Sequence, residues 1–372
     1  MEFIPVNTPL LNGNEKKYLN ECIDTAWISS EGSFVKMFES GMADYVGRKY
    51  GIAVCNGSVA LDLAVEALQL QAGDEVIMPT FTIISCAASL VRKRIKPVLV
   101  DADPLTWNMD VTQIEEKITS KTKAIMVVHL YGLPVDMDVV SEIAARYHLY
   151  IIEDGAEAHG LKYKGKRCGS FGDISAMSFY PNKHITTGEG GMVLIDDEKL
   201  RERCDLFRNL CHSPNRRFYH EELGYNFRMS NIQAAVGVAQ LEKIEEHLNL
   251  KRELGASYQE KLNGIEGLQL PVAKTEYAEN LYWVFGIVLD ENVPMNAREM
   301  MGKLAQRNIG CRPFFYPMHL QPVFRKMGLF ENESYPIAEK LGERGFYIPS
   351  GLTVTEEQRK YITGQMKEIM KG

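Results

Sequence analysis

Short apolar runs alternate with segments of helical periodicity between residues 51 and 195, and this alternation constrains the fold more than any other feature of the chain. Strands that recur with helices between them are typical of βαβ units and a mostly parallel sheet. The predicted strands cover residues 52–55, 76–78, 97–100, 124–128, 149–152, 174–178 and 192–195. Between the first two, apolar residues recur at the spacing of one helix face: Leu61, Ala64, Val65 and Leu68. Ser58 precedes this pattern, where the helix N-cap is expected. The sequence therefore predicts an α/β fold.

The last third of the chain has a different pattern. A long polar helical segment over residues 230–262 leads away from the predicted sheet, and beyond it the best strand candidate covers residues 282–289. A length of 372 residues accommodates one large domain with a smaller companion. We predict a large α/β domain over residues 1–245 and a smaller α+β domain over residues 246–372. Whether the N-terminal segment packs with the small domain is left open.

Composition excludes several classes of function. The net charge of -7 argues against a broad basic face for nucleic acid or an anionic membrane. The longest uncharged stretch, residues 76–91, contains Pro79 and is shorter than the roughly 20 apolar residues of a membrane span. The first five residues show no signal peptide. The cysteines are seven in number and form no CxxC pair, which predicts neither a disulfide framework nor a metal site. We therefore expect a cytoplasmic protein with reduced thiols.

Polar residues follow three of the predicted strands, at the edge where open α/β sheets bind ligands. Asn56-Gly57-Ser58 opens a helix whose free N–H groups suit a phosphate, although such turns are often caps alone. Asp154 ends a buried strand and needs a cationic or hydrogen-bonding partner, unless it only caps the next turn. Lys183 lies between an apolar strand and a glycine-rich turn, where desolvation would make its amine a better nucleophile. The alternative for Lys183 is an ordinary surface lysine.

Taken together, the three elements match the needs of one cofactor. Pyridoxal phosphate requires a lysine for covalent attachment, a carboxylate against the pyridinium nitrogen and a cradle for its phosphate. The carboxylate keeps the ring protonated, which lets the ring accept electrons when a carbanion forms beside it. Asp154, Lys183 and the turn at Gly57 would supply these three groups.

The same residues lie in segments that resemble a known family. The chain is similar to sugar-nucleotide aminotransferases of the DegT/DnrJ/EryC1/StrS type over almost its whole length. The segments that carry the resemblance are NGSVALDLAVEAL (56–68), GDEVIMPTFT (73–82), KTKAIMVVHLYG (121–132), IIEDGAEAHG (151–160), GSFGDISAMSFYPNKHITTGEGG (169–191) and LGYNFRMSNIQAAVGVAQLE (223–242). The resemblance implies the aspartate aminotransferase fold, or fold type I, with a mostly parallel central sheet and a smaller α+β C-terminal domain.

The resemblance also implies roles for the residues that hold the cofactor. Lys183 would attach the cofactor covalently and then carry protons, and Asp154 would pair with the pyridinium nitrogen. Glu157 would contact the ring hydroxyl. The phosphate would be held by Gly57, Ser58 and Ser178. Pyridoxamine phosphate would be the amino form of the cofactor between two half-reactions.

The resemblance implies a role toward the cofactor for two further residues. Asn226 would reach the phosphate from the neighbouring subunit, because the family's active sites are shared across a homodimer. Ile83 stands where many relatives have an aromatic residue that stacks on the cofactor ring, so an aliphatic side chain would cover the ring here. A related dehydratase branch has histidine in place of the lysine, and Lys183 therefore favours transamination.

Substrate-binding residues are predicted in three segments. Trp27 and Ser29 are assigned from resemblance alone. Arg228 would meet a carboxylate or phosphate, with a salt-bridged helix start as the alternative. The segment 312–319 contains two prolines and could form a loop at the edge of the active site, where an arginine would bind a diphosphate through two hydrogen bonds. The alternative is a rigid loop with a structural role only. The candidates in this segment are Arg312, Tyr316 and His319. His129 and His159 are interpreted as packing residues.

The expected reaction is the amination of a nucleotide-linked 4-keto-6-deoxy sugar by L-glutamate. The segments TAWISSEG (25–32), PNRRF (214–218) and RPFFYPMH (312–319) are most similar to the perosamine-forming branch of the family. This similarity implies GDP-4-keto-6-deoxy-D-mannose as substrate and GDP-perosamine as product, for surface polysaccharides such as the O-antigen of lipopolysaccharide. The alternatives are a UDP- or dTDP-linked 4-ketohexose, an eight-carbon keto acid sugar, a sugar dehydratase, or a non-enzymatic protein that kept the fold.

Overall fold

The structure of the protein is a computed structural model that describes residues 2–213 and 216–371. Pro214 and Asn215, which begin the segment PNRRF, lie outside the described residues. The α helices of the described residues are α1 (Glu15–Asp24), α2 (Ser33–Val46), α3 (Gly57–Ala67), α4 (Ile84–Arg92), α5 (Met137–Tyr147), α6 (Glu198–Arg208), α7 (Asn231–Glu242), α8 (Ile244–Leu262), α9 (Ala297–Ala305), α10 (Pro322–Lys326), α11 (Pro336–Arg344) and α12 (Glu356–Lys371). Short 3-10 turns cover Val111–Gln113, Glu115–Lys117 and Met318–Leu320.

The strands divide into a large sheet, a smaller sheet and two hairpins. They are β1 (Tyr50–Val54), β2 (Glu75–Pro79), β3 (Lys96–Val100), β4 (Thr122–Val128), β5 (Tyr150–Asp154), β6 (Lys162–Tyr163), β7 (Lys166–Arg167), β8 (Ile174–Ser178), β9 (Gly191–Ile195), β10 (His212–Ser213), β11 (Arg216–His220), β12 (Leu268–Gln269), β13 (Phe285–Leu289), β14 (Arg312–Pro313) and β15 (Gly345–Ile348).

The large sheet has seven strands in the order β1-β9-β8-β5-β4-β2-β3. Strand β9 runs antiparallel to both of its neighbours, and the other strands run in one direction. Each of the seven apolar runs in the sequence forms one of these strands, which confirms the predicted α/β class and the mostly parallel sheet.

Both faces of the large sheet are buried, because alternate residues of a strand point to opposite sides. In β4, Met126 packs into a cluster with residues of α3 and α4, whereas Ile125 and Val127 pack into a second cluster with residues of α2, α5 and α7. Such double burial requires apolar residues at consecutive positions, and it explains why the strands read as apolar runs in the sequence.

The smaller sheet is antiparallel, in the order β12-β13-β15-β14. It packs with α8, α9 and α12 around a third apolar cluster that includes Ile4. Ile4 also forms a parallel bridge with Ile309, so the N-terminal segment lies against this part of the chain. The predicted strand over residues 282–289 begins later, at Phe285, because Tyr282 has a left-handed φ of 52°. The domain division at residue 245 stays a prediction.

The prediction of one continuous helix over residues 230–262 is wrong, because the structure has two helices there. The structure breaks it into α7 and α8 at Lys243, whose φ of -107° and ψ of 4° leave the helical region. Helix α7 packs against α1 and α2, whereas α8 packs against α12. The break at Lys243 therefore separates two helices with different packing partners.

Within the described residues, the helices include none with the length and apolar character needed to cross a membrane.

Candidate active site

A cleft of about 590 Å³ opens where several strands of the large sheet end. Strands β5 and β8, the first turn of α3 and the loop between β8 and β9 supply most of its walls. The cleft brings together eight of the residues predicted from the sequence, namely Gly57, Ser58, Ile83, Asp154, Glu157, Ser178, Lys183 and Arg312. Their convergence agrees with the rule that open α/β sheets bind ligands at the carboxyl ends of their strands.

The N-cap of α3 is Asn56, which corrects the prediction of Ser58. Asn56 has extended backbone angles, and its Oδ1 accepts a hydrogen bond from the N–H of Val59 at 3.0 Å. Ser58 already lies inside the helix. Its hydroxyl is instead 2.7 Å from the hydroxyl of Ser85 and faces the cleft. Because Asn56 caps the helix, the Ser58 hydroxyl is available to a ligand.

Gly57 lies against Ser178 with almost no space between them. A Cβ at position 57 would lie 2.6 Å from the Cβ of Ser178, which is closer than real side-chain contacts allow. The missing side chain leaves the first turn of α3 open on the cleft side, where its N–H groups have no partners within the helix. A helix N-terminus with this exposure suits a phosphate group.

We therefore expect Gly57→Ala to weaken the binding of pyridoxal phosphate. The new Cβ must displace Ser178 or the first turn of α3, which both line the cleft, and we expect a loss of affinity of about tenfold, or about 1.4 kcal/mol of binding free energy. Equilibrium dialysis of the cofactor measures the effect. The matched control is Gly302→Ala in α9, where a Cβ would meet no atom within 4 Å, and its affinity should equal that of the wild type. Equal affinity in both variants would show that Gly57 does not contribute to the binding site of the cofactor phosphate.

Asp154 ends β5 with only 2% of its surface exposed. Its Oδ1 accepts a hydrogen bond from the N–H of Ala156 at 3.0 Å, and its Oδ2 accepts one from Cys86 Sγ at 3.2 Å. Burial raises the pKa of Asp154, whereas the Ala156 N–H, Cys86 and the nearby Lys183 favour the ionised form. Cys86 is a partner that the sequence analysis missed, since nothing in its local pattern distinguishes it from other buried cysteines.

Lys183 lies in the loop after β8, where its side chain is only 10% exposed. Nζ is 3.8 Å from Glu157 Oε1 and 4.0 Å from the centre of the Trp283 ring. Burial lowers the pKa of Lys183 and raises the pKa of Glu157. Glu157 Oε2 accepts the N–H of Tyr131 at 2.9 Å. The predicted desolvation of Lys183 is therefore confirmed, and the ordinary surface lysine is excluded.

The cleft fits pyridoxal phosphate by the chemistry of its donors. It presents a desolvated amine at Lys183, a buried carboxylate at Asp154, and an open helix terminus beside Ser58 and Ser178. These are the three groups that the cofactor requires. Ile83 immediately precedes α4 and is 39% exposed on the wall of the cleft, so its side chain is accessible to a planar ligand.

Four predicted residues lie outside the walls of this cleft, on the surface that includes the start of α7. Asn231 binds the segment of Trp27 and Ser29, since its Nδ2 donates to the Trp27 carbonyl at 2.7 Å and its backbone N–H to the Ser29 carbonyl at 2.9 Å. Arg228 Nε donates to Asn226 Oδ1 at 3.0 Å. The side chain of Trp27 is 56% exposed. Contacts of these residues with a ligand stay predictions.

The two candidates at the end of the segment 312–319 differ from expectation. Tyr316 is 51% exposed but does not line the cleft. His319 is fully buried, with Nδ1 2.8 Å from Thr80 Oγ1 and Nε2 3.1 Å from Glu339 Oε1. Because both ring nitrogens have partners inside the protein, His319 has a structural role instead of the predicted contact with substrate. A histidine beside prolines gives no sequence signal that separates these two roles.

His129 forms a second buried network below the cleft, as its interpretation as a packing residue requires. Its Nε2 is 2.9 Å from Glu153 Oε1, and its Nδ1 accepts the N–H of Val135 at 3.1 Å. The donor atoms of His129, Glu153 and Cys168 lie within 4.8 Å of one another, a spacing that could hold a metal ion. The Glu153 carboxylate, however, already accepts several backbone N–H groups, including that of Phe171 at 2.8 Å. This network therefore holds the backbone after β5.

Lys251 in α8 is a buried lysine that the sequence analysis missed, because its helix reads as polar. Its Nζ donates hydrogen bonds to the backbone carbonyls of Trp283, at 2.9 Å, and Ser350. Burial lowers its pKa to about 7. Lys251 thereby fixes the backbone of the tryptophan whose ring covers Lys183.

The titration of Lys251 predicts a pH dependence of stability. Between pH 7 and 10 the unfolded chain retains a proton that the folded chain has released, so the free energy of unfolding rises with pH across this window. The free energy of unfolding of the wild type, relative to that of Lys251→Met, should rise by up to about 1.4 kcal/mol per pH unit. Urea unfolding at several pH values measures the difference. Lys261→Met, which removes a lysine paired with Glu356 near the surface, is the control. Parallel pH profiles for wild type and Lys251→Met would contradict this account.

The fold defines the class of the protein. It superposes on S. venezuelae DesV with a TM-score of 0.89 at 30% identity, over 96% of this chain and 95% of the other. It also superposes on Helicobacter pylori PseC, described as an aminotransferase, with a TM-score of 0.94 at 22% identity over the full length of both chains. These likenesses confirm the predicted α/β aminotransferase fold.

Sequence comparison gives the particular family. A model of the DegT/DnrJ/EryC1/StrS aminotransferase family matches residues 9–367. The chain is 43% identical to a GDP-perosamine synthase of Escherichia coli O157:H7, over 99% of both chains. It is 40% identical to a GDP-perosamine synthase of Caulobacter vibrioides, over 99% of this chain and 98% of the other. The protein belongs to the DegT/DnrJ/EryC1/StrS aminotransferase family.

Proposed function

We propose that the protein transfers the amino group of L-glutamate to the C4 ketone of GDP-4-keto-6-deoxy-D-mannose, which yields GDP-perosamine and 2-oxoglutarate. The observation that carries this proposal is the similarity to enzymes named GDP-perosamine synthase, at 38–43% identity over at least 98% of each chain. The convergence of Lys183 and Asp154 in one buried cleft supports the chemistry.

Each predicted cofactor residue has a place in this proposal. Gly57, Ser58 and Ser178 would bind the phosphate of pyridoxal phosphate, and Asp154 would pair with its pyridinium nitrogen. Glu157 would contact the ring hydroxyl. When bound, the cofactor supplies an electron sink for the carbanion formed at the carbon that carries the amine.

Lys183 carries the proton transfers. Because burial lowers its pKa, Nζ is more readily neutral near neutral pH and can accept a proton from the α-carbon of the amino donor. The same Nζ, once protonated, returns a proton to C4 of the sugar in the second half of the reaction. The Trp283 ring and Glu157, both within 4.0 Å of Nζ, hold the amine in place and shield it from water.

The test of substrate is a competition among ketosugars. Purified protein loaded with pyridoxal phosphate receives L-glutamate and a mixture of GDP-, UDP- and dTDP-linked 4-ketosugars, and mass spectrometry identifies the products. We expect amine on the GDP sugar alone, with an equal amount of 2-oxoglutarate. Amination of another sugar would replace the proposed substrate, and release of ammonia without transfer of the amine would indicate a dehydratase.

We also propose that the protein forms a homodimer with shared active sites. Four large apolar side chains are exposed from the last turn of α1 to the middle of α2, namely Ile23, Trp27, Ile28 and Met37. Exposed apolar surface of this kind is typical of protein interfaces, and C2 dimers are the commonest assembly. Asn226, outside the cleft of its own chain, would then complete the phosphate site of the partner.

Mixing two impaired variants tests this arrangement. If Asn226 serves the neighbouring subunit, a heterodimer of Lys183→Ala and Asn226→Ala chains has one site with both defects and one intact site. Activity should therefore return when the two proteins are unfolded together and refolded, although each is impaired alone. A mixture no more active than its components would contradict the shared site, provided that analytical ultracentrifugation shows dimers.

A further inference from the structure

The first turn of α4 contacts two different parts of the cleft. Ser85 Oγ lies 2.7 Å from Ser58 Oγ, beside the first turn of α3. Cys86 Sγ lies 3.2 Å from Asp154 Oδ2, where β5 ends. Adjacent side chains of a helix point about 100° apart, since one turn holds about 3.6 residues. One turn of α4 therefore reaches both groups at once.

The packing of α4 holds this turn in place. Ala87 and Leu90 are buried in the apolar cluster that also contains residues of α3. Ser89 is 1% exposed, and its Oγ donates a hydrogen bond to the Cys86 carbonyl at 2.8 Å. The side chains of Ser85 and Cys86 thus start from a backbone that is fixed before a ligand binds.

Cys86 has one proton to donate, and its neighbours determine where that proton points. Cys86 Sγ is also 3.5 Å from Thr82 Oγ1. In the ionised form that the proposed pairing requires, Asp154 only accepts hydrogen bonds, so the thiol donates to Asp154 and the Thr82 hydroxyl donates to the sulfur. Burial raises the pKa of Cys86 well above its ordinary value, and the nearby Asp154 raises it further, so the thiol keeps its proton.

Asp154 therefore has one donor on each carboxylate oxygen. The Ala156 N–H donates to Oδ1, and Cys86 donates to Oδ2. These two bonds fix the plane of the carboxylate in the wall of the cleft. A carboxylate oxygen has two lone pairs, so the group can still accept a hydrogen bond from a ligand.

The same reasoning orients the two serine hydroxyls. Each hydroxyl has one proton, whereas a bound phosphate offers strong acceptor oxygens. When Ser58 donates to a phosphate, the proton between the two serines comes from Ser85. Ser85 is half-buried and lies in the wall of the cleft. Its position therefore directs the Ser58 proton toward a phosphate.

We propose that the first turn of α4 positions the binding groups for both ends of pyridoxal phosphate. Ser85 orients the hydroxyl that binds the phosphate, and Cys86 orients the carboxylate that binds the ring nitrogen. This inference rests on the placement of the cofactor in the proposed function, and it adds two positioning residues that act through Ser58 and Asp154. Because both contacts form within the protein, they limit the motion of Ser58 and Asp154 before the cofactor binds.

Two analogues of the cofactor separate its two ends. Pyridoxal has the ring without the phosphate, and 1-deazapyridoxal phosphate has the phosphate with a C–H in place of the ring nitrogen. Ser85→Ala should weaken the binding of pyridoxal phosphate and of the deaza analogue by about fivefold, the effect of one hydrogen bond, and leave pyridoxal unchanged. Cys86→Ala should weaken pyridoxal phosphate and pyridoxal by a similar factor and leave the deaza analogue unchanged. Equilibrium dialysis with the full-length apoprotein measures each dissociation constant.

The controls make the same changes outside the cleft. Ser257→Ala removes a half-buried serine of α8, and Cys204→Ala removes a buried cysteine of α6. Both variants should bind all three ligands as the wild type does. Cys86→Ser keeps a donor beside Asp154 and should bind pyridoxal more tightly than Cys86→Ala.

The outcomes separate failure of this inference from failure of the proposed function. Equal losses for all three ligands in either variant would show that the turn is only structural, and unchanged binding of pyridoxal phosphate in either variant would also overturn the inference. A wild type that binds both analogues as tightly as pyridoxal phosphate would overturn the placement of the cofactor itself. The expected losses in a protein that aminates no sugar would overturn the proposed function and leave the positioning roles standing.

Discussion

Lys183→Ala is expected to abolish amine transfer, with a loss of at least about 10³-fold, since proton transfer by a positioned side chain alone contributes 10²- to 10⁴-fold. The variant loses both the covalent attachment of the cofactor and the group that moves protons. Formation of 2-oxoglutarate from L-glutamate measures the loss. Borohydride reduction followed by peptide mass spectrometry should place the cofactor on the peptide that contains Lys183 in the wild type, and nowhere in the variant.

The matched control is Lys164→Ala, which removes an exposed lysine that pairs with Asp138. It should retain wild-type turnover and wild-type labelling. Normal turnover in Lys183→Ala would disprove the assignment. Labelling at another lysine would show that the cofactor is attached elsewhere in the cleft.

Asp154→Asn is expected to reduce kcat by about 10²-fold or more, the size of effect seen when one preorganised electrostatic group is removed. Asparagine is nearly isosteric and can still accept the hydrogen bond from the Ala156 N–H, so the fold should persist. It cannot carry the negative charge that keeps a pyridinium protonated. The rate of the L-glutamate half-reaction, followed by stopped-flow absorbance, measures the loss.

A second buried aspartate provides the control for this variant. Asp101 is 5% exposed, and its carboxylate accepts the backbone N–H groups of Ile337 and Ala338 outside the cleft. Asp101→Asn should lower the melting temperature without changing turnover per folded molecule. If both variants lose activity in proportion to stability, the effect of Asp154→Asn is structural and the assigned role is wrong.

Much of the fold was predictable because burial on both sheet faces leaves a strong signature. Strands such as β2 and β4 must be apolar at consecutive positions, and turn residues bound them on both sides. The position of Asp154 and Lys183 after such strands then follows from topology, since parallel strands end at the same edge of the sheet. The sequence therefore predicted eight of the residues that meet in the cleft, although their roles toward ligands are still predictions.

The missed features share a different physical origin. Trp283, Tyr347 and Lys251 reach the site from the C-terminal part of the chain through contacts between residues far apart in sequence. No local period or motif reports such contacts. His319 shows the same limit, because its burial depends on Glu339 in α11 and Thr80 after β2. The N-cap of α3 differed by two residues because Asn56 and Ser58 are both good caps, and only the backbone angles decide between them.

The antiparallel direction of β9 has a consequence for how the site is ordered. Because β8 and β9 are adjacent antiparallel strands, the loop that carries Lys183 joins two neighbouring strand ends. At these ends Ser178 lies opposite Gly191. Hydrogen bonds inside the loop, such as Phe179 N–H to the Gly190 carbonyl at 2.9 Å, secure both of its ends. The conformational entropy of this loop is therefore lost during folding and not during ligand binding. A newly synthesised chain should hold Lys183 in its working position before it first meets the cofactor.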